Sequence, residues 1–198
     1  METTIKILEG IERNGYSVCD NFVLAGETEV LLSKIKKLRE QNLFKQAAIG
    51  NKTLKQTNTE IRKDSVFWLE KGDNAIDDFF FAKIEALKSE LNRAFYLGLN
   101  DHEFHLAHYS AGAFYKKHRD AFKSDDARKI SVILYLNQNW KKENGGELKL
   151  YLENSEITIE PIAGRLIVFE SHLEHEVLES KTDRYSITGW LKNKKSVF

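Results

Sequence analysis

The 198 residues suffice for one domain, or one with a modest extension, and a chain of this size buries about 70% of its unfolded surface. Apolar residues make up 41% and charged residues 30%, with 30 acidic side chains against 30 basic ones. That excludes a disordered chain and a nucleic-acid binder driven by bulk Lys/Arg excess, and the single cysteine, Cys19, excludes an intramolecular disulfide and a thiolate zinc site within one chain.

Met1-Glu2-Thr3-Thr4-Ile5-Lys6 lacks the apolar run of a signal peptide, and no later stretch reaches membrane-spanning length; a cytoplasmic protein without membrane contact is expected. Val30-Leu31, Ile35 and Leu38 recur at helical spacing over 26–41. A polar segment over 50–64 follows, and a long loop inside a compact domain is often functional. Ser65-Val66-Phe67-Trp68-Leu69 reads as a short strand. Ile76, Phe79-Phe80, Ile84, Leu87 and Leu91 predict an amphipathic helix over 75–95.

From about residue 101 the pattern changes to strands and turns. Strands are predicted over 103–109, 113–117, 129–136, 147–151, 156–160, 165–169, 174–178 and 184–191, divided by turn chemistry such as Asn144-Gly145-Gly146 and Pro161-Ile162-Ala163-Gly164. The expected fold is α+β and mainly β: a jelly-roll, or double-stranded β-helix, over about 101–192, buttressed by helical support from about 1–100, all in one domain.

His118-Arg119-Asp120 carries the first chemical signal. On an extended chain residues i and i+2 point to one side, so an imidazole and a carboxylate converge on one ion. A second histidine from a distant strand completes the two-histidine, one-carboxylate triad of non-haem Fe(II) sites, which leaves coordination positions open. His172 and His175 are available; His175 is preferred because it opens the alternating run His175-Glu176-Val177-Leu178 and precedes Arg184. In a closed pocket the charges of Fe(II), Asp120 and bound 2-oxoglutarate sum to minus one, and a buried net charge is costly unless paired. Arg184 would neutralise it through a bidentate guanidinium–carboxylate contact; otherwise it is a surface partner of Asp183.

These residues resemble the 2-oxoglutarate oxygenases, and more closely the hypoxia-sensing prolyl hydroxylases and their bacterial relatives. The likeness spans about 46–192. It rests on Ile61-Arg62-x-Asp64-x-x-x-Trp68, Tyr109-Ser110-x-Gly112-x-x-Tyr115-x-x-His118-x-Asp120, Tyr135-Leu136-Asn137-x-x-Trp140, Gly145-Gly146-x-Leu148, His175-Glu176-Val177 and Arg184-Tyr185-x-Ile187-Thr188-x-Trp190. The resemblance implies Fe(II) on His118, Asp120 and His175, with 2-oxoglutarate and O₂ as cosubstrates and ascorbate as reductant. It implies that Arg184 and Tyr135 bind the distal carboxylate and that Tyr109, Tyr115, Leu148, Thr188 and Trp190 line the pocket. Residues 50–64 would correspond to a mobile loop over the target peptide, with Arg62 and Asp64 contacting substrate or anchoring the loop. The implied reaction hydroxylates a prolyl residue of a protein, elongation factor Tu being one candidate, with succinate and CO₂ as co-products. Asp120 itself favours hydroxylation over halogenation, because related halogenases replace that carboxylate.

Leu134 departs from the animal pattern, which carries a further tyrosine there, and is expected to make one side of the pocket more apolar. Nucleic acid is not expected as a substrate: related demethylases place a second arginine where Trp190 stands. A different substrate residue, or a non-catalytic binding module, are the other readings; a monomer is expected. His102, His105 and His108 alternate faces on a strand and are not expected to form a joint site, and the basic tail over 192–195 reads as a solvated terminus.

Overall fold

A computed structural model describes residues 2–47, 58–69, 78–121 and 127–193. The start of the predicted second helix (75–77), most of the polar segment (50–57) and the end of the basic tail lie outside the described residues.

Three helices form on apolar periods. α1 (Glu2–Asn14) buries Ile7 and Ile11 one turn apart, and Gly15 N donates to Ile11 O to close it. α2 (Ala25–Glu40) buries Thr28, Leu31 and Ile35; its entry is fixed by Glu27, whose carboxylate accepts from Leu24 N at 2.8 Å. α3 (Asp78–Phe95) buries Phe80, Ile84, Leu87 and Leu91. None of the helices among the described residues is long and apolar enough to cross a membrane.

The strands are β1 (Tyr16–Cys19), β2 (Lys45–Gln46), β3 (Ser65–Leu69), β4 (Asp101–Tyr109), β5 (Tyr115–His118), β6 (Arg128–Tyr135), β7 (Leu148–Tyr151), β8 (Glu156–Ile159), β9 (Leu166–Glu170), β10 (Glu174–Val177) and β11 (Arg184–Lys192). They make two antiparallel sheets, a seven-stranded one in the order β1-β9-β6-β11-β4-β3-β2 and a four-stranded one in the order β5-β10-β7-β8. This is the jelly-roll core expected from the spacing of turns. Eight of the strands match the expected C-terminal series within about two residues, the boundary uncertainty usual for such elements. α1, β1 and β2 were not anticipated: β1 and β2 are short edge strands, too brief to show alternation. Three strands of the large sheet therefore come from the first 70 residues, so the helical support and the jelly-roll interleave in sequence.

The large sheet is covered on both faces. Its helix-facing side presents Phe104, Leu106, Ile130, Val132, Leu134, Tyr185, Ile187 and Leu191, packed with the buried residues of all three helices. The opposite side faces the small sheet and carries Tyr109, Ile133, Tyr135, Ile167 and Phe169 against Leu148, Leu150, Ile159 and Val177. Leu134, expected to line the pocket, lies instead in the helix-facing layer, one residue out of phase with Tyr135. Gly189 allows β11 to lie tight on β4: a Cβ there would sit 2.2 Å from Phe104 Cδ1.

Candidate metal centre

The inter-sheet face departs from an ordinary core because several of its positions are polar. β4 offers His105, β6 offers Ser131 and Tyr135, and β11 offers Arg184, Ser186 and Thr188; their helix-facing neighbours are almost all apolar.

His118 ends β5 and stands opposite His175 on β10 in register. Asp120 follows two residues later, beyond the strand; its N donates to Ser171 O at 3.1 Å, so the end of β9 as well as local alternation sets its direction. Ligand atoms of His118, Asp120 and His175 all lie within 4.8 Å of one another. His118 Nε2 is 3.8 Å from Asp120 Oδ1, and His175 Nε2 is 3.5 Å from Asp120 Oδ2. Each imidazole is oriented from behind, with Nδ1 against a backbone carbonyl: Lys116 O at 2.7 Å for His118 and Leu173 O at 3.0 Å for His175. With Nδ1 donating, each Nε2 lone pair faces the shared space, the tautomer a metal requires. Ser131 Oγ donates to Asp120 Oδ2 at 2.7 Å and meets Ser171 Oγ at 2.9 Å.

Electrostatics favour the same ligand set. Burial, with the neighbouring His175, drives His118 down to about 3, so it is neutral at ordinary pH. Burial opposes ionisation of Asp120, but His175, His118 and the Ser131 hydroxyl outweigh it and hold the carboxyl at about 2. Trp190 Nε1 lies near this carboxylate yet completes no hydrogen bond. His172 is turned outward, its side chain 67% exposed beside Glu170, and does not join the cluster.

Arg184 is 1% exposed. Its Nε donates to Gly146 O at 2.8 Å, and its guanidinium lies 4.7 Å from the Tyr109 ring and 4.9 Å from the Tyr135 ring. Gly146, at φ +68°, makes room for it: a Cβ there would press on Arg184 Cδ at 3.0 Å. Trp140 Nε1 donates to Gly145 O, and Asn137 accepts from Tyr185 N and donates to Pro161 O, so the motif residues brace this corner. No carboxylate pairs with Arg184 among the described residues. Asp183 points away, to His108 at 2.8 Å and Arg39 at 3.3 Å. Arg184 Nη2 and Tyr135 OH are both buried without hydrogen-bond partners, and burial raises the phenol, which stays protonated and able to donate. A buried guanidinium left beside an unused phenol is costly. The pair fits a carboxylate, as the distal end of 2-oxoglutarate requires, and Leu148 lies in the same buried cluster as Tyr109 and Tyr135.

The other expected residues fall around this centre. Tyr115 stacks on His118, ring centroids 3.5 Å apart, and Arg62 covers Tyr115 at 4.2 Å. Arg62 grips Asp64 through two hydrogen bonds, at 2.7 and 2.5 Å, and Asp64 is fully buried. The two form a buried brace rather than a solvated pair. His102 and His108 face the helices, stacked on Phe81 and Tyr185, whereas His105 faces inward beside Trp68 and Trp190. Sequence reasoning passed over Ser131, Ser171 and His105. Ser131 and His105 are lone polar residues within apolar stretches of their strands, a signal Ser171, in the turn after β9, does not share.

The model of the 2OG-Fe(II) oxygenase superfamily matches residues 104–192. The crystal structure of a Pseudomonas putida prolyl-4-hydroxylase is 32% identical over 97% of this chain and 100% of that one, with a TM-score of 0.87. A Trichoplax adhaerens prolyl hydroxylase, solved in complex with a hypoxia-inducible-factor peptide fragment, is 25% identical over 97% and 90% of the two chains, with a TM-score of 0.90. The Caenorhabditis elegans hypoxia-inducible factor prolyl hydroxylase is 29% identical; the match takes in 95% of this chain but 28% of that protein's length. The superfamily works with Fe(II), 2-oxoglutarate and O₂, and the triad and Arg184 corner suit the first two. The chain belongs to the 2OG-Fe(II) oxygenase superfamily, as a dioxygenase of the prolyl 4-hydroxylase type.

Proposed function

We propose that the protein hydroxylates a prolyl residue of a protein or peptide substrate, using Fe(II) held by His118, Asp120 and His175. The observation that carries the reading is the pairing of this triad with a buried, unpaired Arg184 beside Tyr135. Iron, when bound, supplies the O₂ chemistry that couples 2-oxoglutarate decarboxylation to hydroxylation, with succinate and CO₂ as co-products. The chain's residues do the rest. Arg184 and Tyr135 orient the cosubstrate by its distal carboxylate, and Ser131 keeps Asp120 turned inward. Tyr109, Leu148 and Thr188 exclude water from the pocket, while Arg62 and Asp64 lock the segment before β3 behind Tyr115. At the rim, Trp68 is 43% exposed and 6.1 Å from Trp190, an aromatic wall suited to the apolar face of a pyrrolidine ring.

The chain acts as one oxygenase domain, a cytoplasmic monomer, and ascorbate keeps its iron reduced. Elongation factor Tu is the substrate to try first. The test is incubation of that protein with enzyme, Fe(II), 2-oxoglutarate and O₂, followed by succinate assay and peptide mass spectrometry. Proline gaining the mass of one oxygen supports the reading. Succinate formation unaffected by any prolyl peptide, or unaffected by His175→Ala, contradicts it.

A further inference from the structure

Trp68, His105 and Trp190 meet as a triangle of rings, with centroids 4.9, 5.5 and 6.1 Å apart. His105 is 4% exposed, and its Nδ1 is buried without a hydrogen-bond partner. It stands opposite Thr188 in the β4–β11 register, on the inter-sheet face, yet belongs to neither the metal cluster nor the Arg184 corner. An apolar side chain would fill a slot between two indoles at no polar cost, so an unsatisfied imidazole there needs a purpose. Burial, reinforced by the positive Arg62 and Arg128, keeps the ring neutral. A neutral imidazole is one donor and one acceptor and suits a neutral amide; a carboxylate would call for the imidazolium.

The geometry points to His105 as a specificity-determining residue: we infer that its imidazole hydrogen-bonds a backbone amide group of the substrate beside the target prolyl residue, whose ring packs against the half-exposed Trp68. The inference rests on the prolyl hydroxylase reading above. It also fits the arrangement next door, where Arg128 lies 3.6 Å over the Trp190 ring and donates to Glu103 at 2.7 Å, fixing the indole that forms the far side of the slot.

A randomised library of proline-containing peptides is presented to the Fe(II)- and 2-oxoglutarate-loaded wild type, and the best peptide is carried to His105→Phe and His105→Gln. His105→Phe is expected to raise the peptide KM about tenfold, the loss of one hydrogen bond worth a decade in affinity. The KM for 2-oxoglutarate and the succinate formed without peptide should stay within about twofold. His105→Gln, which keeps an amide in the slot, should recover part of the peptide KM. The unloaded His105→Phe protein should melt no lower than wild type, since the phenyl ring fills the slot without an orphaned nitrogen. An unchanged peptide KM in His105→Phe overturns the inference while leaving the prolyl reading intact. So does a melting temperature lower by more than about 4 °C with both reactions slowed equally, which marks a structural role. A wild type that oxidises no prolyl peptide overturns both.

Discussion

The two faces of the seven-stranded sheet follow different rules. Toward the helices, Leu106, Ile130, Val132, Leu134 and Ile187 are buried and apolar. Toward the small sheet, within the same strands and one residue out of phase, His105, Tyr135, Arg184 and Trp190 each bury a polar atom without a partner. One face is built for stability. The other carries stored polar cost, which a dicarboxylate would relieve at Arg184 and Tyr135 and a substrate amide at His105, as functional sites do.

This contrast can be broken by substitution. The largest effect falls on the triad: His175→Ala should lower metal affinity by more than about 100-fold, beyond the effect of losing a residue that merely supports a ligand, as read by metal titration. Arg184→Met should weaken 2-oxoglutarate binding by about 2–5 kcal/mol while leaving metal binding near wild type; the metal-free variant should melt at or above wild type, because an unpaired buried charge is gone. Leu106→Ala should behave in the opposite way. Denaturant titration should show a loss of about 2–5 kcal/mol from the cavity, with 2-oxoglutarate affinity unmoved. Ser131→Ala removes the hydroxyl that steers Asp120, and metal affinity should fall about 10- to 100-fold.

The smallest effect concerns pH. Burial holds His105 at about 3 in the folded protein, against about 6.5 when unfolded. Below pH 6.5 the unfolded chain takes up a proton that the folded one refuses, so stability falls as pH drops from 6.5 toward 3. Melting temperatures of the metal-free protein should decline across that window. The decline should be shallower in His105→Phe.

Most of the helix-facing half was legible in the sequence, because apolar residues at helical spacing in α2 and α3 and runs such as Ile130–Tyr135 follow directly from burial. The grouping of His118, Asp120 and His175 was legible too, through spacing and resemblance, as was the isolation of His105 from its two histidine neighbours. What escaped was whatever depends on phase or on contacts across the sheets. Leu134 was assigned to the wrong face because a strand covered on both sides shows no apolar alternation. Alternation on an extended chain was taken to aim Asp120, whereas its backbone bond to Ser171, just after β9, also sets its direction. The brace of Arg62 on Tyr115 and His118 joins segments more than 50 residues apart, and charge alone does not reveal it.

The central claim is that Arg184 lies buried, with no carboxylate partner among the described residues, in order to receive a dicarboxylate beside a metal. Anaerobic calorimetry of 2-oxoglutarate against the Fe(II)-loaded protein tests it most directly. One cosubstrate per chain should bind, and Arg184→Met should lose that binding while retaining the metal; absence of binding, or equal binding in the variant, contradicts the account.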